Sequence, residues 1–310
     1  YKVLIPSAGL GSRLGKISSN INKALVSIDN KPVISHIIEK FDESTEFIIP
    51  IGYKKELVKD FLTIAYPNRK FTFVDVEPFE GPDSGLGLSI LKAKEFLNCP
   101  FIFSSNDTII EEKFDDDYSY NWMGYCVVDD ASEYRVLHLE NDRVTDIGPK
   151  KSQEKNAYIG LSFIKDFELF WKYMEEGGVD AIKLGESYAL KKMLNLDMRS
   201  KKFTWYDTGN QTSLEDAKHK FSNPLSKINI LEKEDEAIWF IDKKVIKFHI
   251  DPHFIEGRCH RATVLGKYIP KFLDFRKNMY SYSKVNGETF TYHLSAPKFN
   301  YFLKWVESFW

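Results

Sequence analysis

The sequence predicts an α/β protein, with a mostly parallel sheet covered by helices on both faces and a small α+β unit behind it. Three observations carry that reading. The apolar run Val3-Leu4-Ile5 has the continuous hydrophobicity of a buried parallel strand, and it empties into a loop holding Gly9 and Gly11. Helix-like and strand-like periods then alternate from Val33 to Val76, the pattern of parallel strands joined by crossover helices. Past Ser222 the alternation stops and short β-like runs follow one another, so the chain divides into residues 1–222 and 226–310.

The first strand feeds Ser7-Ala8-Gly9-Leu10-Gly11-Ser12-Arg13, where small residues leave backbone N–H groups open to a ligand. With the cations of Arg13 and Lys23 it reads as a phosphate cradle. Spacing rejects two familiar cradles. A P-loop ending at Gly15-Lys16 would need a glycine at Leu10 and a hydroxyl at Ile17, and a dinucleotide fingerprint starting at Gly9 would need a glycine at Leu14.

Composition narrows the partners. An apolar share of 43% with 28% charged residues is that of a soluble globular chain. Forty-three basic against 45 acidic residues give a net charge of −2, which suits a small substrate and argues against a nucleic-acid groove or a membrane surface. Cys99, Cys126 and Cys259 are scattered without a Cys-x-x-Cys pair, so neither a disulfide framework nor a structural zinc site is expected, and a reducing cytoplasm fits. The chain enters a strand at once and holds no apolar stretch of about 20 residues, so neither secretion nor membrane insertion is expected. Nothing in it speaks to oligomeric state.

The remaining elements follow in order. Val33, Ile34, Ile37, Ile38 and Phe41 make the apolar stripe of a first helix, Phe47–Ile51 the next strand, Glu56–Ala65 a second helix and Phe71–Val76 a third strand. Gly81–Ser89 is a glycine-rich loop opening a helix, with Ser84 or Ser89 placed to start it; an ordinary solvent loop is the alternative. A protease-like reading of Pro82–Gly85 fails for want of a matching His and Asp. Phe101-Ile102-Phe103 is a central strand that delivers Asp107 to the sheet's carboxyl edge, as a metal ligand or a turn cap. Asp115-Asp116-Asp117 reads as a solvated turn, Met123–Asp129 as a strand, and Arg135–Leu139 with Arg143–Ile147 as a hairpin. Phe167–Glu175 is helical, Glu186 opens a helix, and Asp207-Thr208-Gly209 precedes a helix over Ser213–Phe221.

A strand, Gly9-x-Gly11-x-Arg13 and a downstream Lys23 resemble the opening of the nucleotidyltransferases that make nucleoside-diphosphate sugars and CDP-alcohols. The resemblance runs from Lys2 to Phe221 through four loops in order. It implies a Rossmann-like nucleotidyltransferase fold, catalytic roles for Arg13 and Lys23, and nucleotide contacts from Ala8, Gly9, Gly11, Ser12, Gly85, Gly87 and Ser89. It further implies Mg2+ on Asp107 and Asp207, and substrate contacts from Lys150 or Lys151, Gly160 in Asn156–Phe163, and Glu186, for which a first-turn acid is the alternative. The family has Lys-Pro where this chain has Lys23-Ala24.

Behind it, Lys247 on a strand, a helix with Glu256, Arg261-Ala262, Tyr280-Ser281-Tyr282 and Val285–Glu288 resemble the small lobe of choline- and aminoglycoside-kinase-like phosphotransferases. No glycine-rich loop precedes Lys247, the catalytic loop and metal aspartate of a large lobe do not arrive before Trp310, and His249-Ile250-Asp251 is read as a decoy. The expected activity is therefore transfer of NMP from an NTP, with CTP or UTP favoured, to a sugar phosphate or phospho-alcohol destined for a bacterial surface polymer. A non-catalytic nucleotide-binding module and part of a bifunctional kinase are the alternatives.

Overall fold

Val3, Leu4 and Ile5 are fully buried, and the computed structural model, which describes residues 1–114, 118–221, 233–287 and 290–309, builds outward from them. Strand β1 (Lys2–Leu4) is followed by a ribbon of β2 (Ser27–Ile28) and β3 (Lys31–Pro32), helix α1 (Val33–Ile38), β4 (Glu46–Ile51), α2 (Lys55–Ala65), β5 (Lys70–Asp75), α3 (Leu86–Lys92) and β6 (Phe101–Ser104). Strands β5, β4, β1 and β6 lie side by side, all parallel, as the alternating pattern predicts. Their carboxyl ends open on one edge, where parallel sheets take ligands. Val58, Phe61, Leu62 and Ala65 of α2 are buried at the helical spacing that the sequence shows.

The second half departs from expectation. It comprises β7 (Thr108–Ile110), β8 (Trp122–Val127), β9 (Val136–Glu140), β10 (Arg143–Gly148), β11 (Asn156–Ile164), α4 (Phe167–Glu176), α5 (Gly178–Leu184), α6 (Glu186–Lys192), β12 (Arg199–Lys202), β13 (Trp205–Asp207) and α7 (Gln211–Phe221). The sheet continues from β6 through β11, β8, β12, β10 and β9, and there only β8 with β12 is parallel. The nine-stranded sheet is mixed, not mostly parallel. One of the reversals has a local cause: Asn141 and Asp142 alone join β9 to β10, and so short a link can only turn a strand back.

The C-terminal part holds β14 (Glu236–Ile241), β15 (Lys244–His249), α8 (Pro252–Leu265), β16 (Phe272–Arg276), β17 (Met279–Ser283) and α9 (Ala296–Phe309). Its four strands form an antiparallel sheet in the order β14-β15-β17-β16. One face of that sheet joins the first core. Trp239 is fully buried, stands edge-on to Phe61 of α2 at 5.1 Å, and donates its indole N–H to Ser27 Oγ at 2.8 Å. Lys244 Nζ donates to the carbonyls of Ile64 and Ala65 at 2.9 and 3.2 Å, placing a cation at the negative end of α2.

Lys247 and Glu256, two of the residues that carry the kinase-like resemblance, do not pair with each other. Lys247 Nζ lies 3.0 Å from Glu236 Oε2, whereas Glu256 meets His253 at 3.3 Å. Lys247 lies opposite Ile238 in the β14–β15 ladder, so Glu236, two residues along the same face, is its diagonal neighbour. His249-Ile250-Asp251 is structural: Asp251 caps α8 by accepting the His253 N–H at 2.9 Å. The acidic turn at 115–117, the strand expected at 227–231 and Glu288 fall outside the described residues.

Candidate active site

Asn22 shapes the cationic side of the site. Fully buried, it donates from Nδ2 to the carbonyls of Ser7 and Tyr53 at 2.9 and 2.8 Å, and accepts the Ala24 N–H at 2.9 Å. That third bond needs an N–H at position 24, which a proline would lack, and it explains how the chain accommodates alanine after the lysine. Lys23 is thereby aimed at Asp107, with Nζ 2.8 Å from Oδ2, and Arg13 reaches the same oxygen at 4.0 Å. Gly11 has a left-handed φ of 70°, and a Cβ there would fall 2.9 Å from the Lys23 Cβ, so loop and lysine pack only through glycine. At Gly9 a Cβ would meet nothing within 4 Å; its bare backbone faces open space that the fold does not fill. Ala8 is buried and Ser12 starts a short 3-10 turn through Ser18.

Two carboxylates meet because β7 and β13 pair antiparallel with Thr108 opposite Asp207. Thr208 ties the turn by donating N–H and Oγ1–H to the Asp107 carbonyl, both at 3.0 Å. A Cβ on Gly209 would lie 2.9 Å from Asp107 Oδ2, 3.0 Å from Asp207 Oδ1 and 3.2 Å from Arg13 Nη2, so the glycine clears a point on which both acids and a guanidinium converge. Burial pushes Asp107 toward its neutral form, but Lys23 and Arg13 outweigh it and hold the carboxyl below its ordinary range. Asp207 is raised, first by burial and then by the charge of Asp107, while the Gly209 N–H, Tyr134 and Ser213 oppose the shift.

This donor set fits a hard divalent cation. Two converging carboxylates around a cleared space, one of them raised by the other, are what such an ion relieves, and Mg2+ commonly takes one or two carboxylates plus substrate phosphates. Among the described residues no third acid, histidine or cysteine joins them.

The other site residues divide. Gly85 and Gly87 face α5: a Cβ would fall 2.4 Å from the Ile182 carbonyl oxygen and 2.0 Å from that of Ala181. Packing of α3 on α5 thus requires both glycines. Neither serine caps α3; Gly85 is its N-cap, Ser84 Oγ donates to Gly81, and Ser89 is buried one turn in. Gly160, at φ 68°, brings β11 against Ser105, whose Oγ would be 2.6 Å from a Cβ there. Glu186 is buried at the start of α6 with Oε2 lacking a hydrogen-bond partner, and burial raises it to about 7. Tyr158, hydrogen-bonded to Ser162 at 2.8 Å, and Arg135 act on it more weakly. Lys150 and Lys151 are exposed, and the Lys151 N–H donates to the Ser132 carbonyl at 2.9 Å.

Sequence reasoning missed Asn22 as the organiser of Lys23 and missed Tyr134 altogether. Tyr134 donates its hydroxyl to Asp207 Oδ2 at 2.9 Å from 73 residues away.

Comparisons with known proteins bear on the family and the fold. The family described as nucleotidyl transferase matches residues 2–223. The bifunctional protein GlmU of Methanococcus maripaludis is 28% identical over 233 residues, 72% of this chain and 54% of that protein; a probable mannose-1-phosphate guanylyltransferase 2 of Oryza sativa subsp. japonica is 28% identical over 171 residues, 51% and 46%. The chain thus spans about half the length of these curated relatives. Among solved structures, the CTP:phosphocholine cytidylyltransferase of Streptococcus pneumoniae has a TM-score of 0.61 at 23% identity, covering 71% of this chain and 99% of that one. A UDP-glucose pyrophosphorylase complexed with UDP-glucose has 0.60 at 20%, covering 71% and 97%; both share the fold. No helix among the described residues is long and apolar enough to cross a membrane. Matched by that family model over residues 2–223, most of its length, the chain belongs to the nucleotidyl transferase family.

Proposed function

We propose that the chain transfers a nucleotidyl group from an NTP to a small phosphorylated acceptor and releases pyrophosphate. The observation that supports it most is the convergence of Asp107, Asp207 and Arg13 on the point cleared by Gly209, with Lys23 on the same carboxylate. An oxygen of the acceptor phosphate attacks the α-phosphorus while the bond from that phosphorus to the β-phosphate bridging oxygen breaks, so the electron pair leaves with pyrophosphate. Mg2+ held by Asp107 and Asp207 would supply charge neutralisation for the phosphates. Arg13 and Lys23 stabilise the charge that develops on the departing pyrophosphate, and the backbone from Ala8 to Ser12 carries the phosphate chain over the open space at Gly9. No protein nucleophile is required, because the acceptor phosphate is already ionised.

The acceptor side is assigned to Glu186, Gly160 and the Lys150-Lys151 loop, and the base to the loop holding Gly85, Gly87 and Ser89. The acceptor is a sugar phosphate or phospho-alcohol and the nucleotide CTP or UTP, with CTP favoured because Ser7–Arg13 resembles the phosphocholine cytidylyltransferase branch. Two structures that share the fold, one a CTP:phosphocholine cytidylyltransferase and one a UDP-glucose pyrophosphorylase, support a pyrimidine nucleotide. A role in bacterial surface polymer synthesis and a reducing cytoplasm complete the proposal. The test is pyrophosphate release over a panel of NTPs and phosphorylated acceptors, with and without EDTA. No release from any pair, by a protein that melts cooperatively, would refute it.

For the C-terminal part, the antiparallel sheet with α8 before its last hairpin supports a kinase-like small lobe. The pairing of Lys247 with Glu236 argues against phosphotransfer by the described residues.

A further inference from the structure

We infer that Tyr134 is a positioning residue that fixes the Asp207 carboxylate in the orientation facing Asp107; this rests on the reading of Asp207 as a metal ligand. Trp205 and Asp207 are two apart on β13, so they share one face, separated by about 6.7 Å along the strand. Tyr134 lies along that face. Its ring stands edge-on to Trp205, with centroids 4.9 Å apart at 77°, and its hydroxyl reaches Asp207 Oδ2 at 2.9 Å.

The donors that accompany it differ in origin. The Gly209 N–H donates to Oδ1 at 2.9 Å and Asn210 Nδ2 to Oδ2 at 3.4 Å; both follow Asp207 in the same turn and move with it. Tyr134 anchors the carboxylate to a separate part of the molecule. Its own loop is held firmly: Asp130 Oδ1 accepts the Ser132 N–H at 2.8 Å, the Tyr134 N–H donates to Ala131 at 2.9 Å, and Ala131 is buried with Val136 and Ala157. The Ser132 carbonyl accepts the Lys151 N–H at 2.9 Å, so the same loop connects the acceptor-side lysines to the metal side. With Oδ2 restrained, the carboxylate cannot rotate freely, and Oδ1 stays directed at the space Gly209 leaves clear. Hydrogen bonds to a ligating carboxylate tune metal affinity in this manner.

The test titrates Mn2+ into the full chain, following free Mn2+ by electron paramagnetic resonance, in the native protein and in Tyr134→Phe, Tyr134→Ala and Asp207→Asn. Tyr134→Phe keeps the ring against Trp205 and removes only the hydroxyl. It should weaken Mn2+ binding by roughly tenfold or more, with a melting temperature within about 2 °C of native. In turnover, Tyr134→Phe should need more Mg2+ for half-maximal rate and recover most of kcat at saturating Mg2+. Unchanged Mn2+ affinity in Tyr134→Phe, or a loss that appears only in Tyr134→Ala together with a lower melting temperature, overturns the inference. If Asp207→Asn binds Mn2+ as the native protein does, the metal reading fails and takes this inference with it. Loss in Asp207→Asn alone refutes only the role of Tyr134.

Discussion

Two lysine–carboxylate pairs in this molecule are almost superimposable in their numbers and opposite in meaning. Lys23 and Asp107 meet at 2.8 Å with side chains 20% and 15% exposed; Lys247 and Glu236 meet at 3.0 Å with 16% and 14%. Distance and burial do not separate them. Their surroundings do. Glu236 is saturated, with Lys233 on Oε1 at 2.7 Å and Lys247 on Oε2, and these partners, Lys233 foremost, hold it below its ordinary range. Asp107 shares its space with Asp207, whose charge is incompletely answered, and with a gap cleared by Gly209. A short ion pair marks structure. Unbalanced acids converging on a point that only a glycine leaves free support the proposed place for substrate and cation.

Neutralising one acid at each place separates the two pairs most strongly. Asp207→Asn should cut pyrophosphate release by about a thousandfold, roughly 4 kcal/mol of barrier, while the protein still melts cooperatively. Glu236→Gln should leave turnover within about twofold, since interactions remote from the chemistry do not enter the barrier. Comparable losses in both variants would erase the distinction.

A second contrast, between Glu186 and Glu236, is read through pH. Glu186 has an ordinary value of 4.5 and stands at about 7 in the fold. Between those values the folded state keeps a proton that the unfolded state gives up, so its contribution to stability falls as pH rises from about 4.5 to 7, by up to about 3 kcal/mol. Glu186→Gln should therefore lose this slope and be more stable than the native protein above pH 7 in urea titrations. Glu236 behaves oppositely: its lowered value stabilises the fold at neutral pH, and that stabilisation disappears as pH falls through the folded value. Glu236→Gln should be less stable than native at pH 7 and converge with it in acid. A Glu186→Gln curve parallel to native from pH 5 to 8 would remove the carboxyl from this account.

Arg13→Ala probes the site at its exposed rim. The guanidinium is 54% exposed and 4.0 Å from Asp107, so its removal should cost little stability but lower turnover about 10- to 100-fold, by exposing pyrophosphate charge in the transition state. A fall in melting temperature with unchanged specific activity would make Arg13 structural.

What the sequence discloses follows the same division. Lys23, Asp107 and Asp207 are legible because apolar strands or a glycine loop stand immediately beside each, which places them at the carboxyl edge of the sheet. Tyr134 is not, since it sits in an irregular loop and meets Asp207 only through the packing of β13 against that loop. Helix α5 is hidden by Gly177, Gly178 and Gly185, which read as turn, although α5 is what demands Gly85 and Gly87. The partner of Lys247 is hidden for the same reason: cross-strand register, a long-range property, brings Glu236 to it. The change from parallel to mixed sheet is likewise a matter of which strands meet.

The smallest expected effect returns to the two lysines. Lys247→Met removes one of two cations on Glu236 and leaves Lys233 in place at 2.7 Å, so no uncompensated acid is created. The methionine can still cover the Phe254 ring, over which Nζ now lies at 5.7 Å, and the expected loss is about 1 kcal/mol or less. Lys23→Met leaves Asp107 and Asp207 facing one another with only Arg13 at 4.0 Å, and buried like charges resist ionising together. Its cost should be larger, about 2–3 kcal/mol at pH 7, and should shrink as the carboxylates protonate in acid. Added Mg2+ should raise the urea midpoint of Lys23→Met by more than that of Lys247→Met, which keeps its site and should respond as the native protein does, because in Lys23→Met the cation also answers the acids that the lysine no longer offsets. Urea midpoints of both variants with and without 10 mM Mg2+, a concentration of about that order being in excess of an ordinary site, provide the measurement. Equal responses to Mg2+ would mean that Lys23 offsets no acid at a cation site and that the two pairs are alike after all.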